Sequence, residues 1–169
     1  MQDPRKNRGN TWYYGSGEEL GNSATASVSS GIAFYSGSGV YKSQDGGRTF
    51  ELLNATADGT VANNSPFDIV NSIAVNPKNG DLYVATFNGL HRSKNGGNSF
   101  TEVLEGGIGN RVEVSITTTG QIYATIEFEG VPNAGFFTST DGDNWTNITP
   151  PNFIQTYGRT VMGLSLIHI

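Results

Sequence analysis

The chain has 169 residues, no cysteine, 15% charged residues and a formal net charge of −5. Without cysteine there are neither disulfides nor thiolate metal sites, and an acidic balance with scattered arginines excludes the basic face that nucleic acid or an anionic membrane requires. No apolar run approaches the ~18 residues of a membrane helix, so no membrane insertion is expected. The 23 glycines, set with Asn, Ser and Thr between short apolar runs, give the composition of an all-β chain with many tight turns.

Residues 1–10 read as a polar lead-in, in which Asp3-Pro4 disfavours helix. Thr11-Trp12-Tyr13-Tyr14-Gly15 is the first predicted strand, aromatic and ended by glycine. A glycine-rich irregular loop follows over residues 15–23 and carries Glu18. Residues 27–34 mix small and apolar side chains without alternation. Val40-Tyr41-Lys42-Ser43 then enters a turn, Ser43-Gln44-Asp45-Gly46-Gly47-Arg48-Thr49-Phe50, and residues 50–53 leave it as the far side of a hairpin.

Residues 54–68 form a polar connection. Residues 69–75 make the next strand, stopped by the turn signal Asn76-Pro77-Lys78-Asn79-Gly80. Residues 81–86 pair back, 89–93 enter a second turn element, and 100–104 leave it. The order then repeats: residues 112–116 alternate apolar and polar as a half-buried strand does, 121–126 return after Thr118-Thr119-Gly120, 127–134 form a longer loop, 135–139 enter a third turn element, and 145–148 leave it. After Pro150-Pro151, residues 159–163 resemble the opening strand of a further unit. Residues 164–169 resemble a translated sequencing-adapter tail and are expected to be non-native.

The chain is thus organised around one element used three times. Ser93-Lys94-Asn95-Gly96-Gly97-Asn98-Ser99-Phe100 repeats the first copy, and Ser139-Thr140-Asp141-Gly142-Asp143-Asn144-Trp145 repeats it with one residue fewer. The serines fall 50 and 46 residues apart, a period that matches four-stranded propeller blades. Asp45, Asn95 and Asp141 are the residue types that hydrogen-bond the backbone of a following turn. Gly47 and Gly97 supply positive φ, the serines tie strand to loop, and Phe50, Phe100 and Trp145 are expected to pack between blades. The element reads as a structural lock. Three blades are fewer than the roughly four to eight that close a ring, so the expectation is an all-β, incomplete β-propeller over residues 11–163, belonging to a longer chain that supplies the remaining blades.

These copies resemble the Asp-box, or bacterial neuraminidase repeat, Ser-x-Asp-x-Gly-x-Thr-Trp. Ser43, Asp45, Gly47, Thr49 and Phe50 fit it; the second copy carries Asn95 for Asp, and the third is one residue short with Asp143 where glycine is expected. The resemblance implies a propeller of the sialidase, sortilin-like and xyloglucan-hydrolase kind. The first unit, from Trp12-Tyr13-Tyr14-Gly15-Ser16-Gly17-Glu18 through Gly39-Val40-Tyr41-Lys42-Ser43, also resembles large secreted repeat proteins of marine Bacteroidetes. That implies an extracellular or cell-surface location, with any export signal upstream of residue 1.

Residues for catalysis do not assemble in the sequence. Sialidase activity needs an arginine triad, and the Arg-Ile-Pro motif of that family is absent; Arg111 or Arg159 alone does not make a cluster. A glycoside hydrolase needs two carboxylates across a cleft, for which Glu18, Glu19, Asp68, Glu113, Glu127 and Glu129 are candidates. Glu18 stands out because aromatic Trp12 and Tyr13 lie close in sequence and could stack on a sugar; the competing reading is that it caps its own loop. Asp141-Gly142-Asp143-Asn144 is only a partial calcium-loop pattern, and His91 and His168 are isolated, so no metal or cofactor is expected. Four Asn-x-Ser/Thr sequons are read as turn composition. The expectation is a non-catalytic module that binds a polysaccharide or an extracellular protein, with Trp12, Tyr13 and Glu18 as ligand contacts. The alternative is a glycoside hydrolase completed by other blades, and sortilin-like capture of a ligand in the central tunnel rests on fold analogy alone.

Overall fold

The middle sheet shows the plan of all three. In the computed structural model, which describes residues 1–19, 34–59, 65–107, 110–127, 134–153 and 162–163, β6 (Val70–Val75), β7 (Leu82–Thr86), β8 (Gly89–Ser93) and β9 (Thr101–Glu105) form an antiparallel sheet in sequence order. Every residue of β7 and β8 is buried, because these strands have another sheet on each face. The β6–β7 connection is an Asx turn: Asn76 Oδ1 accepts the Lys78 N–H at 2.9 Å, and Gly80, at φ 80°, closes it. A third sheet, β10 (Val112–Ile116), β11 (Ile122–Ile126), β12 (Gly135–Ser139) and β13 (Thr146–Asn147), repeats the order and the register. Leu82 lies opposite Ser93 as Ile122 lies opposite Ser139.

The first sheet has β1 (Trp12–Gly15), β4 (Val40–Ser43) and β5 (Glu51–Leu52). Trp12 opposite Ser43 puts β1 in the place of β7, not of β6. The innermost position is taken by the segment read from sequence as a polar lead-in. The Tyr13 N–H donates to the Met1 carbonyl at 2.8 Å, that of Asp3 to Thr11 at 2.9 Å, and Gln2 bridges to Trp12. Asp3 is buried and ion-paired with Arg5 at 2.7 Å. Asp3-Pro4 therefore occupies the place that Asn76-Pro77 holds in the second sheet, and low hydrophobicity hid the strand. Glu18 also departs from expectation. β2 (Glu18–Glu19) pairs with β3 (Phe34–Tyr35), so the residue sits on a short ribbon and not in an irregular loop. The expected opening strand at 159–163 and the tail at 164–169 fall almost wholly outside the described residues.

The sheets pack face to face around two cores. Tyr13, Val40, Phe67, Val75, Leu82 and Val84 fill the space between the first and second sheets. Ala74, Tyr83, Ala85, Leu90, Val112, Val114, Ile122, Ala124 and Ile126 fill that between the second and third. Each fully buried Leu, Ile or Val contributes about 1.5–3 kcal/mol, so the blades are held chiefly by their neighbours. Between the inner strands, Ser72 Oγ accepts the Val114 N–H at 2.9 Å. Among the described residues there is no α-helix, only 3-10 turns at Asn54–Thr56 and Pro66–Asp68, and none is long and apolar enough to cross a membrane. This is an incomplete β-propeller of three blades.

Candidate functional site

Strand order divides the blades into two ends with different chemistry. At one end lie the turns joining first to second strands and the three repeated turn elements. Ser43 is buried; its Oγ donates to Asp45 Oδ1 at 2.7 Å and accepts the Gly47 N–H at 2.9 Å. Asp45 Oδ1 accepts from the N–H groups of Arg48 (2.9 Å) and Thr49 (3.0 Å), and Oδ2 accepts the Thr49 hydroxyl at 2.7 Å. Ser93 and Asn95 reproduce this: Ser93 Oγ accepts the Gly97 N–H at 2.8 Å, and Asn95 Oδ1 accepts that of Ser99 at 3.0 Å. Asn95 Nδ2 then donates to Ser99 Oγ at 2.8 Å, so an amide serves where a carboxylate serves elsewhere. In the third copy Ser139 Oγ accepts from Gly142, and Asp141 from Asp143 and Asn144.

Donation from the Thr49 backbone and hydroxyl holds the Asp45 carboxyl far below the usual range. The Asn144 side chain and backbone do the same for Asp141. Both carboxylates are already engaged by the turns they close, which is the geometry of a lock and not of an acid or base.

Phe100 and Trp145 pack against the two cores as expected, whereas Phe50 is 37% exposed. The irregular third copy has its own use. Asp143, standing where glycine was expected, accepts Arg92 Nη1 at 2.9 Å from the preceding blade and Lys94 Nζ at 3.3 Å.

The opposite end carries the other candidates. Ser16 organises it: Oγ accepts the N–H groups of Ser38 (2.8 Å) and Gly39 (3.1 Å), and the Ser16 carbonyl accepts the Val70 N–H at 3.1 Å. A Cβ on Gly17, at φ 87°, would run into the Asp68 carbonyl at 1.9 Å, so only glycine fits this approach of the first blade to the second. Glu18 follows directly, anchored by its backbone and exposed to solvent. Asp68 is buried, its carboxylate accepting the Ser65 N–H at 3.0 Å in a capping box. On the third blade Arg111 donates through Nε and Nη2 to Glu113 Oε1, both at 3.1 Å, and lies 3.9 Å from Glu127 Oε1. Asn71 Nδ2 and Asn88 Oδ1 are buried at this end without a hydrogen bond among the described residues.

Trp12, Tyr13 and Glu18 are not brought together. Tyr13 is 4% exposed, packed in the first core beneath Lys42 Nζ, 5.7 Å from its ring centroid. Trp12 sits at the turn-element end, its Nε1 donating to the Gly9 carbonyl at 3.0 Å, with the length of β1 between it and Glu18. Strand alternation sends Tyr14, not Tyr13, to the open face. Glu113 and Glu127, two of the candidate hydrolase carboxylates, are half-buried partners of Arg111. Glu129 and Arg159 lie outside the described residues, as does the side chain of Glu19. Among the described residues no group of His, Cys, Asp or Glu could hold a metal ion.

No protein-family model matches the chain, and no curated protein matches it. Solved structures do. A GH74 enzyme of Niastella koreensis superposes with a TM-score of 0.51 at 21% identity, over 68% of this chain and 18% of that one. An ancestral GH74 enzyme gives 0.47 at 27% identity, over 69% and 16%. The GH74 xyloglucanase of Xanthomonas campestris gives 0.48 at 17%, over 67% and 19%. The chain spans less than a fifth of the length of each, and the likeness to the Niastella enzyme is one of fold.

Proposed function

We propose that this chain is part of a secreted bacterial β-propeller of the Asp-box type, serving as a binding or scaffold module for a polysaccharide or an extracellular protein. The observation that carries this is the state of the carboxylates. Asp45 and Asp141 close turns, Asp68 caps one, Glu113 and Glu127 share the Arg111 guanidinium, and Glu18 stands on a different blade from that pair. A glycosidase needs one protonated and one ionised carboxyl facing each other across a cleft.

The second reading, a glycoside hydrolase completed by other blades, rests on Glu18, a solvent-facing carboxylate on a backbone pinned by Ser16 and Gly17. Glu18→Gln in the full-length protein separates the two. A general acid or base removed in this way lowers turnover by about 10²–10⁴-fold, whereas the binding reading predicts that no turnover depends on Glu18. The measurement is the rate of reducing-end formation on soluble polysaccharides.

A further inference from the structure

We infer that the open face of the first blade, formed by Tyr14, Tyr41 and Phe50, is a docking surface for a further blade of the same polypeptide. The same junction already occurs twice within the chain. Tyr41 corresponds in register to His91 and Phe137, and Phe50 to Phe100 and Trp145. The second- and third-blade members pack against the blade before them, through Phe67 or the second core. Tyr14 corresponds to Val84 and Ala124, both buried on that same side. In the first blade Tyr14 is 42% exposed and stacks on the half-buried Tyr41 at 4.7 Å, with the exposed Phe50 edge-on to Tyr14 at 4.9 Å.

A polar contact specifies the occupant. Lys42 lies over the Tyr13 ring and donates to the Gly96 carbonyl in the next turn element at 3.0 Å. Arg92 lies over the Tyr83 ring and reaches Asp143 in the element after that. The first and second blades thus each offer a cation, one residue before the turn serine, to the turn of the following blade. Among the described residues no such visitor reaches the first turn. A Cβ on Gly97 would meet Leu53 of the preceding blade at 2.5 Å, whereas one on Gly47 would meet, among the described residues, only its own Phe50 at 3.9 Å. The docking blade therefore carries Lys or Arg at the position of Lys42, aimed at the Gly46 carbonyl. The third blade has Thr138 there, so a second copy of this chain is the poorer fit.

The test compares Phe50→Cys in the 169-residue chain with Phe50→Cys in the full-length protein, labelled by a maleimide and read by peptide mapping. In the full-length protein labelling should be slower by at least about 100-fold, as for a group reached only through local opening. Thr140→Cys, at an exposed site, should label equally fast in both. Equal rates at position 50 overturn the inference. Slow labelling of the 169-residue chain that quickens on dilution names a second copy as the occupant and also overturns it. Tyr14→Cys repeats the measurement should Phe50→Cys fail to fold.

Discussion

Arg92→Met is expected to destabilise the chain by about 3–5 kcal/mol, the range for removing one partner of a buried ion pair. Arg92 is 6% exposed; its Nε donates to Asp81 Oδ2 at 2.7 Å, and its Nη1 crosses to Asp143 on the next blade at 2.9 Å. Asp81 is equally enclosed, so loss of the guanidinium leaves a buried carboxylate without its ion-pair partner. Among the described residues its other side-chain donor is Asn79 Nδ2, at 3.0 Å. Arg92→Lys retains the charge but not the fork that serves two carboxylates at once, and its loss should be smaller. The double variant Arg92→Met, Asp81→Leu should recover part of the deficit, because the buried charge goes with its partner. Urea denaturation of the three variants checks this. A single variant within about 1 kcal/mol of the parent, or a double variant no better than the single, would contradict the role given to the pair.

His91→Phe is expected to remove an acid sensitivity between pH 6.5 and 4. His91 is 7% exposed between Phe67, 4.8 Å away ring to ring, and the first core. Its Nε2 has no partner among the described residues, and burial lowers its pKa to about 4. The imidazole is thus neutral in the folded chain and takes up a proton in the unfolded chain at about 6.5. The unfolded state binds more protons between these values, so stability is complete above pH 6.5 and is lost as pH falls toward 4, by about 3 kcal/mol in all. The carboxyls of Asp45 and Asp141 are depressed, so their contribution persists lower and is lost only below the ordinary aspartate range. The corresponding residues Tyr41 and Phe137 are aromatic and unable to take up a proton in this range, so phenylalanine suits the position. Thermal melts at pH 7.5 and 4.5 should differ markedly for the parent and much less for His91→Phe. An undiminished acid loss in the variant would show that another group titrates.

The repeat made the architecture legible because each copy states its own turn chemistry. Ser43, Asp45 and Gly47 need no distant partner to declare a hairpin, and the strands at 112–116 and 135–139 appear where periodicity put them. What failed depended on context. Met1 to Asp3 is polar, yet it pairs as an inner strand because Asp3 finds Arg5 and the Asp3-Pro4 turn mirrors Asn76-Pro77. Tyr13 and Tyr14 look alike in the sequence, and only the register opposite Lys42 and Tyr41 shows which is buried. Laying the three units side by side would have set Tyr13 with Tyr83 and Lys42 with Arg92, the one available sign of the inter-blade cations. The Arg111 cluster had no such sign, since Glu127 meets Arg111 only through the pairing of β10 with β11.

The most direct measurement is to incubate the full-length protein with a panel of plant and algal polysaccharides and to follow retention and reducing ends together. The account predicts that at least one polysaccharide is retained by the protein and recovered at its original length. Release of soluble oligosaccharides, abolished by Glu18→Gln, would contradict it and make the chain part of a hydrolase.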